Sequence, residues 1–248
     1  SIIVTGVGKG LGMDMLKQIV DYGGFVYGIT RSRNDLKKFR KIKNCKVFVG
    51  NVNNTKLFNK ILSNSIKEKK IITGLVNNAG ERQRLKFEDI SQNKLKKLFE
   101  TNFFSIFKNM QIFSKYLRKN KTKGSIVNIG SKTSFTGQGG TSAYAAANGG
   151  RNALTREWAV ELLPFSIRVN SIIVAECYTP LYQKWIKSFP NPEVKLKEIE
   201  SNIPLENRMT TTEEIGSAVA FLISKKSSHT TGQLLFVDGG YSHLDRSL

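Results

Sequence analysis

Two hydroxyl groups in this chain are placed to do chemistry. Ser131 closes the run Gly124-Ser-Ile-Val-Asn-Ile-Gly-Ser131, and Tyr144 lies near the start of Ser142-Ala-Tyr-Ala-Ala-Ala-Asn148-Gly-Gly150. The first run is apolar and β-branched and reads as a buried strand. The second reads as a helix opening on small residues, and the Gly/Ser/Thr-rich segment between them reads as a loop. In an open α/β sheet, ligands bind outside the carboxyl ends of the strands. A hydroxyl from a strand end and another from the following helix can therefore converge on one substrate atom.

A second signature opens the chain. Ser1-Ile-Ile-Val-Thr5 is a short β-branched run, and Gly6-Val-Gly-Lys9-Gly10-Leu11-Gly12 follows it directly. An amphipathic helix with Leu16, Ile19 and Val20 on one face comes next. Strand, glycine-rich turn and helix in that order are the context of a dinucleotide site. The glycines let the backbone turn tightly, and the helix N-terminus offers N–H groups and partial positive charge to a pyrophosphate. The next strand, 25–29, runs into Thr30-Arg31-Ser32-Arg33. An acid at that strand end would accept hydrogen bonds from a ribose 2′-hydroxyl. Arg31 and Arg33, with Lys9, suit a 2′-phosphate instead. The expectation is NADP in preference to NAD; the alternative is that these are ordinary surface cations.

The elements that must position these groups alternate. Further strands are expected at 46–49, 72–76, 167–174 and 234–237, with helices between them. One helix from about Ser91 carries Leu95, Leu98, Phe99 and Phe103 at helical spacing. The predicted architecture is α/β: a single-domain Rossmann-type doubly wound parallel sheet of about seven strands, helices on both faces, spanning 1–248. The Pro-punctuated stretch 180–208 is longer than an ordinary connection, and Trp185, Ile186 and Phe189 within it suggest a small helical lid over the substrate.

Composition narrows the class. With 248 residues, 40% hydrophobic and 23% charged, the chain can bury a large core. Its net charge of +20 is spread over helices and loops with no nucleic-acid motif beside it. A solvated surface is expected, with a field that steers anionic ligands. No apolar run reaches membrane length and no signal peptide is visible. Ser1 already lies within the first strand, so a trimmed segment is expected before it. Cys45 and Cys177 show no metal-ligand spacing and fit a reducing cytoplasm. The expected partner is a small molecule, with no metal, nucleic acid or membrane.

Six motifs in order resemble the short-chain dehydrogenase/reductase family over essentially the whole chain. They are Thr5-Gly6-x-x-x-Gly10-x-Gly12, Asn77-Asn78-Ala79-Gly80, the Asn102 region, the Ser131/Tyr144 centre, Arg168-Val-Asn170 and Val237-Asp-Gly-Gly240. Within it, 131–139, 155–162, Ala175-Glu176 with 179–182, 228–232 and 239–248 resemble the sugar-dehydrogenase branch typified by L-fucose (aldose) dehydrogenases. That branch oxidises an aldose at its anomeric carbon to a lactone. The resemblance implies that Tyr144 is the base for alcohol oxidation and that Ser131 holds and polarises the same oxygen. It implies that Asn102 kinks its helix and holds a water in the proton path. It places Asn51 and Val52 beside the adenine, Asn78, Ala79 and Gly80 close to the cofactor, and Thr179 at the nicotinamide carboxamide. Arg82, Gln138, Glu176 and Trp185 fall where a polyol would be contacted. Dimers or tetramers are usual for the family.

One position departs from the pattern: the family's Lys, one turn after the Tyr, is Asn148 here. A free tyrosine ionises near pH ~10, and a cation within ~4–6 Å lowers an acid's pKa by ~1–3 units. Asn148 can bond a ribose hydroxyl but lends no charge, so reduced turnover is expected, to be relieved by Asn148→Lys. Three readings stand: an NADP-dependent sugar dehydrogenase with a weaker centre; a dinucleotide-binding protein without turnover; and a substituted version of an ordinary reductase, such as a gluconate or 3-oxoacyl reductase.

Overall fold

In the computed structural model, which describes residues 1–244, seven parallel strands form one sheet in the order β3-β2-β1-β4-β5-β6-β7. They are β1 (Ile2–Thr5), β2 (Val26–Thr30), β3 (Cys45–Val49), β4 (Gly74–Asn77), β5 (Gly124–Ser131), β6 (Ile167–Val174) and β7 (Leu234–Val237). The last four residues of the 239–248 stretch lie outside the described residues. The central strands β1, β4, β5 and β6 are buried along nearly their whole length, as parallel strands covered on both faces must be. The polar residues they carry, such as Asn77, Asn128 and Asn170, are buried with the rest, not turned to solvent. The register is in phase across the centre, Ile2 opposite Gly74 and Gly74 opposite Ser125, so the carboxyl ends line up along one edge.

The helices are α1 (Leu11–Asp21), α2 (Leu36–Phe39), α3 (Thr55–Lys67), α4 (Gln92–Phe99), α5 (Ser105–Lys119), α6 (Ser142–Glu161), α7 (Pro180–Ile186), α8 (Pro192–Glu200) and α9 (Thr212–Ile223). Met15, Leu16 and Ile19 of α1 pack with Ile215, Val219 and Leu222 of α9 on one face. Phe58 and Ile61 of α3, Ile106 and Phe113 of α5, and Trp158 of α6 cover the other. Asn54, Ser91 and Thr211 cap α3, α4 and α9, Thr211 in a reciprocal capping box with Glu214.

The long helix expected from Ser91, with a kink implied at Asn102, is divided there. A π-helical turn, Glu100–Phe104, separates α4 from α5, with Ser105 N–H donating to Glu100 O five residues back. Such turns concentrate at functional sites, and Asn102 sits inside this one. The stretch after β6 forms α7 and α8, whose Tyr182 and Ile186 make a small core with Ile203 and Met209, separate from the two main ones.

A buried polar chain fixes α6 to the sheet. Asn77 Nδ2 of β4 donates to Asn128 Oδ1 of β5 (2.9 Å), and Asn128 Nδ2 donates to Thr155 Oγ1 of α6 (2.9 Å). All three residues are fully enclosed. Asn128→Leu strands the amide of Asn77 and is expected to cost about 2 kcal/mol or more. Urea unfolding monitored by circular dichroism checks this, with m unchanged if only native contacts are lost.

Candidate active site

The order of the strands reverses its direction of growth between β1 and β4, and a cavity of about 620 Å³ opens above that point. Thr5 and Asn78 hold its floor. Thr5 Oγ1 accepts from Asn78 N (2.9 Å) and Ala79 N (3.0 Å), while Asn78 Nδ2 donates back to Thr5 O (2.9 Å). The glycine turn packs against this clamp so tightly that a Cβ on Gly12 would lie 2.2 Å from Gly6 O and 2.7 Å from Asn78 Nδ2. Gly6 and Gly10 have φ of 76° and 55°, the left-handed region that suits glycine. No side chain caps the N-terminus of α1, so its first N–H groups face the cavity. Gly6, Lys9, Gly10, Leu11, Gly12, Asn78, Ala79 and Gly80 all line it.

Ser131 and Tyr144 line the same cavity. Ser131 Oγ accepts from Thr133 N (3.3 Å) and Thr133 Oγ1 (3.2 Å), so its own proton is left to donate into the cleft. Thr133 is a supporting residue not anticipated from the sequence. Asn102 is fully buried, and its side chain reads the backbone of Glu81 twice, Nδ2 to Glu81 O (2.8 Å) and Glu81 N to Oδ1 (2.7 Å). It thereby ties the π turn to the loop after β4.

Asn148 is buried, donates Nδ2 to Tyr144 O (2.8 Å), and is not part of the cavity wall. One amide N–H is thus engaged on its own helix, while the second N–H remains and Oδ1 is buried with no partner among the described residues. Arg151, three residues on, does line the cavity, with its guanidinium buried between the π turn and β5. The sequence signal for it was helical spacing: position 151 is seven residues from 144 and shares its face.

Arg31 and Asn51 lie at the β2–β3 end of the cavity, with Val52 beside them. Arg31 Nη1 contacts Glu81 Oε1 at 2.6 Å. Asn51 Oδ1 accepts from Asn53 N, which leaves its amide N–H₂ outward. Arg33 is exposed and does not line the cavity. An acid does reach this end, which reading the strand terminus alone missed: a 3₁₀ turn at Arg33–Asp35 brings Asp35 back beside Gly8. Asp35 accepts from Thr30 Oγ1 and Lys38 Nζ, both at 2.7 Å. Burial opposes its ionisation, but those hydrogen bonds and the charges of Lys38 and Lys9 outweigh it and hold the carboxyl below its usual range.

Arg82, Gln138 and Glu176 line the opposite end, where the cavity continues into a second of about 340 Å³, while Thr179 lines the first beside Gly10. Thr179 Oγ1 caps α7 by accepting from Tyr182 N. Lys132 and Glu176 form a buried ion pair, with Lys132 Nζ 3.9 Å from the centre of the Tyr241 ring. Burial and then the hydrogen bond to Glu176 push the Tyr182 phenol up, so it stays protonated. Trp185 lines the second cavity only, edge-on to Tyr182 and Phe189 and covered by Arg84 at 5.0 Å.

With this geometry in view, comparison with known proteins is specific. Residues 6–242 match the family model described as enoyl-(acyl carrier protein) reductase. Carbonyl reductase [NADPH] 2 of Sus scrofa is 30% identical over 96% of this chain and 95% of that protein. L-fucose dehydrogenase of Oryctolagus cuniculus is 29% identical over 96% of this chain and 84% of that protein. The crystal structure of Cj0485 dehydrogenase superposes with a TM-score of 0.92 at 40% identity, covering 100% of this chain and 95% of that one. The chain belongs to the short-chain dehydrogenase/reductase family of NAD(P)(H)-binding oxidoreductases. The uncapped N-terminus of α1 and the glycine cradle, which a single Cβ would fill, fit a dinucleotide pyrophosphate.

Gly12→Ala therefore strikes the cradle directly. We expect at least about a tenfold loss of NAD(P)H affinity, about 1.4 kcal/mol, read by nucleotide fluorescence titration. The melting temperature should also fall.

Proposed function

We propose that this chain oxidises a hydroxyl of a sugar or polyol, an aldose to its lactone, with NADP as hydride acceptor. The carrying observation is that Ser131 and Tyr144 line one cavity with the glycine turn. The bound nicotinamide would accept the hydride leaving the alcohol carbon. Tyr144 takes the hydroxyl proton, and Ser131, its lone pairs already engaged by Thr133, donates to the same oxygen. Alcohol and oxidised dinucleotide become carbonyl, reduced dinucleotide and one proton, so the step balances. Asn102 keeps the loop after β4 in place against the cleft.

Preference for NADP is supported by Arg31 and Lys9 at the cavity's ribose end, against Asp35, the acid there, whose carboxylate is engaged by Thr30 and Lys38. The sugar reading is supported by Gln138 and by the Lys132–Glu176 pair, polar groups that match hydroxyls on a ring. Residues 180–208 act as a lid within a single domain, Tyr182 and Trp185 offering an aromatic face to substrate. Exposed Phe104, Val160 and Leu163 on the π turn, α6 and the connection after it favour a homo-oligomer. The two free cysteines accord with the cytoplasm. Among the described residues, no helix is long and apolar enough to cross a membrane.

A panel of aldoses and polyols with NAD and NADP tests this reading. Saturation by one aldose with NADP is expected, and Tyr144→Phe should lower kcat by about 10²-fold or more. Tight dinucleotide binding with no turnover of any substrate would favour the non-catalytic reading. Arg31→Glu should shift the ratio of kcat/KM for NADP over NAD towards NAD by at least about tenfold, from loss of a charge-assisted hydrogen bond.

A further inference from the structure

Proton abstraction requires Tyr144 to carry negative charge, and a free tyrosine ionises only near pH ~10. A phenol that acts as a base near neutral pH needs a cation close by. Asn148 is neutral. Among the described residues, the cavity wall includes two buried cations, Lys132 and Arg151. Glu176 neutralises Lys132. Arg151 forms no ion pair among the described residues. Its Nη2 donates to Asn102 O (2.8 Å) and its Nη1 to Ile129 O, while Nε has no partner. Burying a guanidinium without a carboxylate is costly, and an apolar side chain would fill a merely structural position at less cost.

We propose that Arg151 is the cation that stabilises the Tyr144 phenolate, so that the centre is electrostatically complete with a neutral residue at 148. This rests on the oxidoreductase reading given above. Residues 144, 148 and 151 stand at i, i+4 and i+7 on one face of α6. Helical side chains lean towards the N-terminus, so the surface that residue 151 covers lies over the turn carrying residue 148. The two carbonyls hold the guanidinium between the π turn and β5, two residues before Ser131. Burial lowers the Arg151 pKa to about 10, the charge of Tyr144 acting in the opposite sense, so Arg151 remains cationic at neutral pH. The other charged and titratable groups around this part of the cleft are Glu81, Arg82, Lys132, Glu176, Cys177 and Tyr182. Glu81 is paired with Arg31 and Glu176 with Lys132, so neither carboxylate cancels Arg151. Arg151 is a positioning residue in this scheme: it acts on the substrate through Tyr144.

The test uses the full chain with Arg151→Met, Arg151→Lys, Asn148→Lys and the double change Asn148→Lys/Arg151→Met. Ionisation of Tyr144 is read without cofactor or substrate, as tyrosinate absorbance of each protein minus its Tyr144→Phe counterpart. Arg151→Met should raise that midpoint by about one pH unit or more. It should lower kcat near neutral pH by about tenfold, with recovery at high pH and little change in NADPH affinity. Arg151→Lys and the double change should restore the midpoint. An unmoved midpoint in a folded Arg151→Met protein overturns the proposal. Should Arg151→Met fail to fold, Asn148→Lys alone decides. A gain in kcat below about threefold is expected because the cation is already present, and a tenfold gain overturns the proposal. The tyrosinate titration needs no substrate, so it stands even if no sugar is oxidised and the functional reading fails.

Discussion

Everything at the ligand-binding edge depends on how the carboxyl ends of β1 and β4 are kept together yet open. Successive crossovers leave this boundary in opposite directions, so no helix covers it and no further strand can fill it. The Thr5 hydroxyl and Asn78 amide close the gap with hydrogen bonds to backbone that would otherwise be stranded. Their closeness then dictates the composition of the neighbouring turn. A Cβ on Gly6 would meet Ala79 Cα at 3.0 Å, and one on Gly12 would meet the Gly6 carbonyl. The glycine pattern is thus a consequence of the clamp as much as of ligand approach.

The same logic of satisfied buried polarity positions α6. An apolar contact lets a helix slide by a fraction of a turn; a directed amide-to-hydroxyl contact does not. Asn77, Asn128 and Thr155 form such a chain across β4, β5 and α6, and Ser171 Oγ donates from β6 to Asn128 O (3.0 Å). Thr155 Oγ1 in turn donates to Arg151 O (2.9 Å), so the segment that carries Arg151 is indexed to the middle of the sheet. The orientation of Tyr144, two turns earlier, is inherited from that anchor through the rigidity of the helix.

How far the sequence disclosed this follows from which signals are local. The strands of the sheet, the glycine turn and the Ser131/Tyr144 pair were legible because parallel strands buried on both faces leave continuous apolar runs and because motif order mirrors strand order. The π turn at Glu100–Phe104 left no mark in hydrophobic spacing, since Leu95, Leu98, Phe99 and Phe103 fit an uninterrupted helix. Asp35 was missed because a short 3₁₀ turn folds it back to the strand end from five residues away. Thr133 was missed because its role exists only once the loop after β5 has turned on itself. Family pattern directed attention to position 148, where the substitution is visible, and away from position 151, where the charge now lies.

Electrostatic stabilisation of a phenolate depends on where a positive charge sits and on how dry its surroundings are, not on which residue number supplies it. A helix offers several ways to reach one point, because side chains from successive turns of the same face lean over a common patch. Arg151 reaches that patch from one turn further along with a longer side chain, and the carbonyls of Asn102 and Ile129 fix its fork. The two positions are then coupled in what they tolerate. A second cation at 148 would sit one turn from a buried guanidinium, with repulsion little screened by solvent. An amide of moderate size, neutral and turned to the Tyr144 carbonyl, packs there without adding charge. Asn148 and Arg151 are therefore better understood as one linked arrangement than as a lost lysine and an unrelated arginine.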